Sequence, residues 1–150
     1  MSTEENKAII QRWLEAWNTG ELGALVEIIA PDYVHHAHGN SIRTESGPEW
    51  YEQAVAGHRA SFPDHYGSLQ AMIAEGDMVV TRWTVTGSHR GQWTAPTGAV
   101  IPPTGKTITY TGITIARLAG GKIVEEWWEQ DSVSLLQQLG VIPEAAQAAT

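Results

Sequence analysis

The spacing of apolar residues changes once along this 150-residue chain, at Phe62-Pro63-Asp64. Before that point, apolar side chains recur every three or four residues, which is the spacing of one face of an α-helix. After it, they alternate with polar residues in segments rich in Val, Ile, Thr and Trp, which is typical of long strands. Helices followed by strands favour the α+β class, with the helices laid on one face of a curved sheet.

Three helices are predicted in the first half. Ser2 and Glu5 have the spacing of a capping box, and the helical pattern that follows ends at Gly20. A shorter helix is predicted over residues 22–29. A third is predicted over residues 48–61, because a proline stands at its start and proline is favoured in the first turn of a helix. These helices occupy most of the chain before the strands begin.

Four long strands are predicted in the second half, over residues 66–75, 78–89, 107–118 and 122–131. Turns at Gly76 and at Gly120-Gly121 join neighbouring strands into antiparallel hairpins, because glycine adopts the positive φ that such turns need. The segment 91–105 holds three prolines and three glycines, which predicts an irregular loop at the rim of the sheet. A short closing helix is predicted over residues 132–139.

Composition narrows the function. The formal charge of −8 and the absence of a basic stripe argue against nucleic acid as a partner, and no apolar run is long enough to cross a membrane. With no cysteine, the chain has no disulfide and no thiolate nucleophile. The polar, acidic N-terminus lacks the pattern of a signal peptide, so we expect a cytoplasmic protein. The length predicts one domain over residues 1–150.

One apolar face of the predicted sheet has no helix to cover it. Ile113, Ile115, Ile123 and Trp127 are predicted to share the convex face. Exposed apolar patches of this kind are commonly buried between two copies of a chain. A homodimer is therefore expected.

Eight short motifs follow one another between about residue 5 and residue 142. They are Asn18-Thr19-Gly20, Pro31-Asp32-Tyr33-Val34, Phe62-Pro63-Asp64, Glu75-Gly76-Asp77, Gly87-Ser88-His89-Arg90-Gly91, Pro102-Pro103-Thr104-Gly105-Lys106, Gly121-Lys122-Ile123-Val124-Glu125 and the closing residues 135–140. In this order they resemble the SnoaL-like polyketide cyclase family, with residues 143–150 left as a tail. The resemblance implies the cone-shaped α+β barrel of nuclear transport factor two and ketosteroid isomerase, whose helices and concave sheet enclose one mainly apolar cavity.

The resemblance also implies where catalytic residues would stand. In the cyclases, an Asp on the last long strand is the general acid/base, and this position corresponds to Trp128. The family's pocket His falls at Thr114, its Gln at Gly112 and its Asn at His35. All four residues differ from the family's pattern, so a cyclase-like reaction would need another acid/base group.

Strand parity offers a replacement, because alternate side chains of a strand share a face. The predicted hairpin pairs residue 114 with 126 and 112 with 128, which leaves Gly112 to make room for the indole of Trp128. It turns five side chains toward the cavity, namely Tyr110, Thr114, Glu126, Trp128 and Gln130. Glu126 is the candidate base, since burial beside Trp128 should raise its pKa. In the alternative register, shifted by one residue, Glu125 faces inward instead.

Histidines and tryptophans complete the predicted site. His35 is a candidate second acid/base or a hydrogen-bond donor to an oxyanion. His35 and His36 would point to opposite faces of an extended segment that also contains His38, so the three cannot bind one metal together, and neither metal nor cofactor is expected. Trp93 and Trp128 are candidates for the aromatic wall of the pocket.

Three functions are compatible with these residues. The first is cofactor-independent acid/base chemistry on a small apolar or aromatic carbonyl compound, of the cyclase, isomerase or aldol type, with Glu126 as base and His35, Tyr110 or Thr114 polarising the substrate oxygen. The second is a non-catalytic ligand-binding module. Glu126 and His35 within about 6 Å across one cavity would favour the enzyme. The third, hydrolysis of an epoxide or ester, would need a second inward carboxylate.

Overall fold

The computed structural model describes residues 1–37, 41–43, 47–95 and 98–144. It contains four helices among these residues: α1 (Thr3–Thr19), α2 (Leu22–Ile28), α3 (Pro48–Ser61) and α4 (Ser132–Gln138). The Ser2 hydroxyl accepts a hydrogen bond from the Glu5 N–H at 3.1 Å, and Gly20 ends α1 with a φ of 74°. The predicted cap, stop and boundaries of the helices are confirmed to within one residue.

Eight strands follow in chain order. They are β1 (Ile29–Ala37), β2 (Ser41–Arg43), β3 (Tyr66–Glu75), β4 (Met78–Ser88), β5 (Trp93–Thr94), β6 (Val100–Ile101), β7 (Thr107–Ala119) and β8 (Lys122–Gln130). Six of them form one sheet in the order β2-β1-β8-β7-β4-β3, and β5 pairs with β6 inside the predicted rim loop. The sheet is mixed and curved, so the α+β class is confirmed.

The strand β1 is absent from the sequence prediction, and it changes the geometry of the site. It runs parallel to β8, whereas the other strand pairs are antiparallel. Pro31 has no N–H to donate, and the pairing register shifts between Ile29 and Val34 around it. After the shift, His35 pairs directly with Glu126. A residue from the first half of the chain thus enters the inner face of the sheet.

The predicted register of the last hairpin is wrong by two residues. Thr114 pairs with Trp128, and Glu126 pairs with Ala116. The reason is a bulge: Leu118 pairs with Ile123, but the next pair is formed by residues 117 and 125, so residue 124 is an extra residue in β8. Because the bulge changes the parity of β8, Glu126 and the buried Ile123 both face inward, although Ile123 was predicted on the outer face.

Gly112 makes room for a tryptophan, but not for the predicted Trp128. It pairs with Trp83 of β4, and a Cβ at position 112 would lie 2.3 Å from a ring carbon of that indole and 2.8 Å from the backbone oxygen of Glu129. The Trp83 indole therefore occupies the volume that a side chain at position 112 would need.

Gly112→Ala is expected to destabilise the protein by about 1–3 kcal/mol, because a methyl group forced into packed volume moves its neighbours. Urea denaturation measures this loss. Gly57→Ala is a suitable control, since no heavy atom lies within 4 Å of the Cβ that it would add to α3. An unchanged midpoint for Gly112→Ala would contradict the packing of Trp83 over this glycine.

On the outer face of the sheet, Ile113 is 46% exposed and Ile115 and Trp127 are partly exposed. The expected homodimer stays a prediction. No helix among the described residues is long and apolar enough to span a membrane. His38 and residues 145–150 of the predicted tail lie outside the described residues.

Candidate functional site

A cavity of about 100 Å³ lies between helices α1 and α3 and the inner face of the sheet. Its lining is mainly apolar and consists of Trp13, Leu14, Trp17, His58, His65, Gly67, Trp83, Val85, Trp93, Tyr110, Thr114, Trp128 and Gln130. The five residues predicted to bind a substrate, namely Tyr110, Thr114, Trp128, Trp93 and Gln130, are all among them. The structure therefore brings these five side chains together around one cavity.

Tryptophan dominates the walls of the cavity. Five of the seven tryptophans line it, and they come from α1, β4, β5 and β8. Trp17 lies between two others, with ring centroids 6.4 Å from Trp13 and 5.8 Å from Trp128. Broad indole faces at these tilts form a surface for flat apolar molecules.

A few polar groups interrupt this apolar lining. The hydroxyl of Tyr110 has no hydrogen-bond partner among the described residues, and burial raises the pKa of Tyr110, so its proton is retained. The Thr114 hydroxyl oxygen accepts the indole N–H of Trp83 at 2.9 Å and keeps its own proton to donate. Two donors are thus available to an oxygen atom of a bound molecule.

Glu126 lies in a second, deeper layer. It is 1% exposed and does not line the cavity. Its Oε2 accepts hydrogen bonds from the Tyr33 hydroxyl at 2.8 Å, the Tyr51 hydroxyl at 3.1 Å and the Trp128 indole at 2.8 Å. Its Oε1 is buried and has no hydrogen-bond partner within the described part of the chain. Trp128 contacts both layers, since it lines the cavity and holds the carboxyl group.

Burial raises the pKa of Glu126 to about 7, although its three hydrogen bonds act in the opposite direction. Removing the carboxylate from water disfavours the charged form more than three donors stabilise it. The group can therefore change its protonation state close to neutral pH. The rise predicted from burial beside Trp128 agrees with this direction.

His35 reaches Glu126 through a shared tyrosine. It is 3% exposed, and its Nδ1 lies 3.0 Å from the Tyr33 hydroxyl oxygen. Because that hydroxyl donates its single proton to Glu126, His35 donates from Nδ1. The expectation that Glu126 and His35 face each other across the cavity is wrong, because both lie beside Trp128 and outside the cavity lining.

The neighbouring Glu125 points to the opposite face of β8. Its carboxylate contacts His36 at 2.7 Å and Arg117 at 3.1 Å, and these hydrogen bonds lower its pKa despite partial burial. The alternative register, with Glu125 inward, is therefore excluded. Among the described residues, no group of three or more His, Asp or Glu side chains is arranged to hold a metal ion.

Two histidines on the cavity wall are absent from the predicted site. His58 Nε2 lies 3.0 Å from His65 Nδ1. Burial lowers the pKa of His58 to about 3 and that of His65 to about 4, and the charge of Arg59 acts in the same direction on both. The pair is consequently neutral at neutral pH.

A family model described as SnoaL-like polyketide cyclase matches residues 7–139, which is most of the chain. The chain belongs to the SnoaL-like polyketide cyclase family. Its resemblance by sequence motifs is thereby confirmed. The SnoaL-like scaffold explains why the helices pack on a concave sheet and leave a cavity between them.

Solved structures of this SnoaL-like fold include close matches. AclR from Streptomyces galilaeus, a proposed hydroxylase, is 28% identical with a TM-score of 0.83, covering 97% of this chain and 87% of AclR. IdmH from Streptomyces antibioticus, a proposed polyketide cyclase, is 33% identical with a TM-score of 0.74, covering 90% of this chain and 98% of IdmH. TsrD from Streptomyces laurentii is 25% identical with a TM-score of 0.81, covering 95% and 99%. No curated protein matches the chain.

Proposed function

We propose that this SnoaL-like protein is an enzyme that moves protons on an apolar or aromatic carbonyl compound without a cofactor, in a reaction of the cyclase, isomerase or aldol type. The family supports small-molecule chemistry of the cyclase or isomerase type. The cavity supports the substrate class, because indole walls and a few hydroxyl donors suit a flat molecule with a carbonyl oxygen. The observation that carries the proposal is the buried carboxyl group of Glu126.

Glu126 replaces the carboxylate that the family has at the position of Trp128. A base that takes a proton from carbon and returns it works best when its pKa is near the working pH, and burial raises the pKa of Glu126 to about 7. Its Oε1 has no hydrogen-bond partner among the described residues, so this atom is able to accept the proton. Glu126 would thus act from a position two residues before the usual one.

Access to Glu126 depends on Trp128. The indole N–H of Trp128 bonds to Glu126 while its ring lines the cavity. A turn of this one side chain on substrate binding would open Oε1 to the cavity. The transferred proton would then pass directly between the substrate carbon and the carboxyl group.

The substrate oxygen would be held on the opposite side of the cavity. When the α-proton leaves, negative charge develops on the carbonyl oxygen and needs a donor that is already in place. Tyr110 and Thr114 both line the cavity and have hydroxyl protons to donate. His35 is assigned a positioning role, since it donates to the same Tyr33 hydroxyl that bonds to Glu126.

A non-catalytic ligand-binding function is the second candidate, and one observation favours it: neither Glu126 nor His35 lines the cavity. A screen separates the two functions. Wild-type protein is incubated with aromatic ketones and linear polycarbonyl compounds in buffer containing EDTA, and binding and products are followed by NMR and mass spectrometry. Conversion without added cofactor is expected. Saturable binding with no conversion of any bound compound would identify a binding module instead.

A further inference from the structure

The His58 and His65 side chains meet at the wall of the cavity because of a turn between α3 and β3. The Phe62 N–H donates to the His58 carbonyl at 2.9 Å, and the His65 N–H donates to the Phe62 carbonyl at 3.0 Å. This turn folds His65 back onto the last turn of α3. The two imidazole rings lie 4.9 Å apart at 86°, with Nε2 of His58 bonded to Nδ1 of His65. We call this pair the His58–His65 dyad.

A neutral dyad always presents one donor and one acceptor. If His58 donates from Nε2, its Nδ1 is bare and His65 has its proton on Nε2. If His65 donates from Nδ1, its Nε2 is bare and His58 has its proton on Nδ1. In both arrangements one outer nitrogen holds a proton and the other can receive one. Passing a proton through the dyad converts one arrangement into the other.

The outer nitrogens are available to a bound molecule. His58 Nδ1 and His65 Nε2 have no hydrogen-bond partner among the described residues, and both residues line the cavity. The neighbouring Gly67 also lines the cavity, and a Cβ at that position would lie 3.6 Å from His65 Nε2. The lack of a side chain at Gly67 therefore leaves this nitrogen uncovered.

The charges around the dyad oppose an imidazolium ion. Arg59 lowers the pKa of both histidines, whereas Asp64 acts in the opposite direction on His65 with a smaller effect than burial. A single histidine acting as a base would have to become positively charged in this setting. A relay through both rings avoids this cost, because one proton leaves as another enters.

We propose that the His58–His65 dyad is a bifunctional proton relay that converts a bound conjugated ketone into its dienol. The bare outer nitrogen takes a proton from the γ-carbon, the proton between the rings crosses, and the other outer nitrogen gives its proton to the carbonyl oxygen. The C–H electron pair becomes a C=C bond, the existing C=C bond shifts by one position, and the carbonyl π pair forms the new O–H bond. The dyad remains neutral throughout.

The inference rests on the proposed function, since it requires a carbonyl compound in the cavity, and it adds a second proton-transfer unit to Glu126. The two ends of the relay are separated by two rings and a hydrogen bond of 3.0 Å. The two substrate atoms that exchange protons should be separated as well. This is why a conjugated ketone, in which a C=C bond lies between the acidic carbon and the carbonyl group, fits better than a simple one.

Deuterium exchange tests the relay, with 3-methylcyclohex-2-enone as the probe in D₂O and ¹H NMR as the readout. The wild-type protein is expected to speed exchange at the γ-positions at least about tenfold over buffer, with no pH dependence between about pH 5.5 and 8.5, because the dyad stays neutral there. His58→Gln and His65→Gln should each remove most of this rate, and the double variant should lose no more, since the residues act as a unit. His36→Gln, on the outer face of the sheet, is the matched control.

Histidine ¹⁵N NMR adds a readout that does not depend on turnover. Both members of the dyad should be neutral at pH 6 and should share one tautomer, with protons on both Nε2 atoms or on both Nδ1 atoms. An imidazolium ion at pH 6, or unchanged γ-exchange in folded His58→Gln and His65→Gln proteins, would overturn the relay. Exchange that persists in these variants and changes around pH 7 would leave Glu126 as the acid/base group. No γ-exchange by wild-type protein with bound probe would also overturn the relay, while the proposed function would still be judged by its own screen.

Discussion

Glu126→Gln is expected to lower the turnover of a converted carbonyl substrate by about a hundredfold to ten-thousandfold, which is the usual contribution of a positioned general acid or base. Glutamine keeps the size of the side chain and can still accept hydrogen bonds from Tyr33, Tyr51 and Trp128. It cannot accept and return a proton. Substrate affinity should change little, because Glu126 does not line the cavity.

The matched control is Glu125→Gln, one residue earlier on β8. Glu125 lies on the outer face with His36 and Arg117, so this change removes the same charge without touching the buried layer. Steady-state kinetics of both variants on a substrate found in the screen, with circular dichroism to verify folding, make the comparison. Equal turnover by wild type and Glu126→Gln would exclude Glu126 as the base.

The second large effect concerns stability, and its sign follows from the pKa. The pKa of Glu126 rises from 4.5 to about 7 on folding. Between these values the folded protein binds more protons than the unfolded chain, so the contribution of Glu126 to stability is full below pH 4.5 and is lost as the pH rises to about 7. Glu126→Gln removes this dependence. From pH 5 to pH 8 the wild type should therefore lose about 2–3 kcal/mol of unfolding free energy relative to the variant.

Urea denaturation of both proteins at several pH values measures this difference. The comparison between proteins cancels the titration of groups that they share, and any fixed cost of the glutamine amide cancels in the comparison between pH values. A difference that does not vary with pH would mean that Glu126 has an ordinary pKa, and it would contradict the burial of a carboxyl group in an unfavourable environment.

Local sequence rules predicted most of the fold. The Ser2 cap, the Gly20 stop and the glycine turns at Gly76 and Gly120-Gly121 act over a few residues, so their effects are readable from the chain. The strand β1 was missed because its partner β8 lies about 90 residues later, and its proline resembles a strand breaker. Pairing between distant segments is decided by tertiary packing, which the alternation of residues does not contain.

The site was predicted in part, and the errors have a common origin. Glu126 was placed on the inner face, but from an assumed register that the bulge at residue 124 replaces. The Tyr33 and Tyr51 hydroxyls that hold Glu126 come from β1 and α3, and nothing in their local sequence indicates a shared partner. His58 and His65 are seven residues apart, so a turn after Phe62-Pro63-Asp64 was the only available signal for their contact.

Direct titration of the Glu126 carboxyl carbon by ¹³C NMR, with Glu126→Gln used to assign the resonance, tests the buried acid/base group without requiring a substrate. The Glu126 signal is expected to titrate with a midpoint near pH 7, where burial places its pKa. A midpoint near the ordinary value of 4.5 would show a solvated carboxylate and would contradict the proposed role of Glu126.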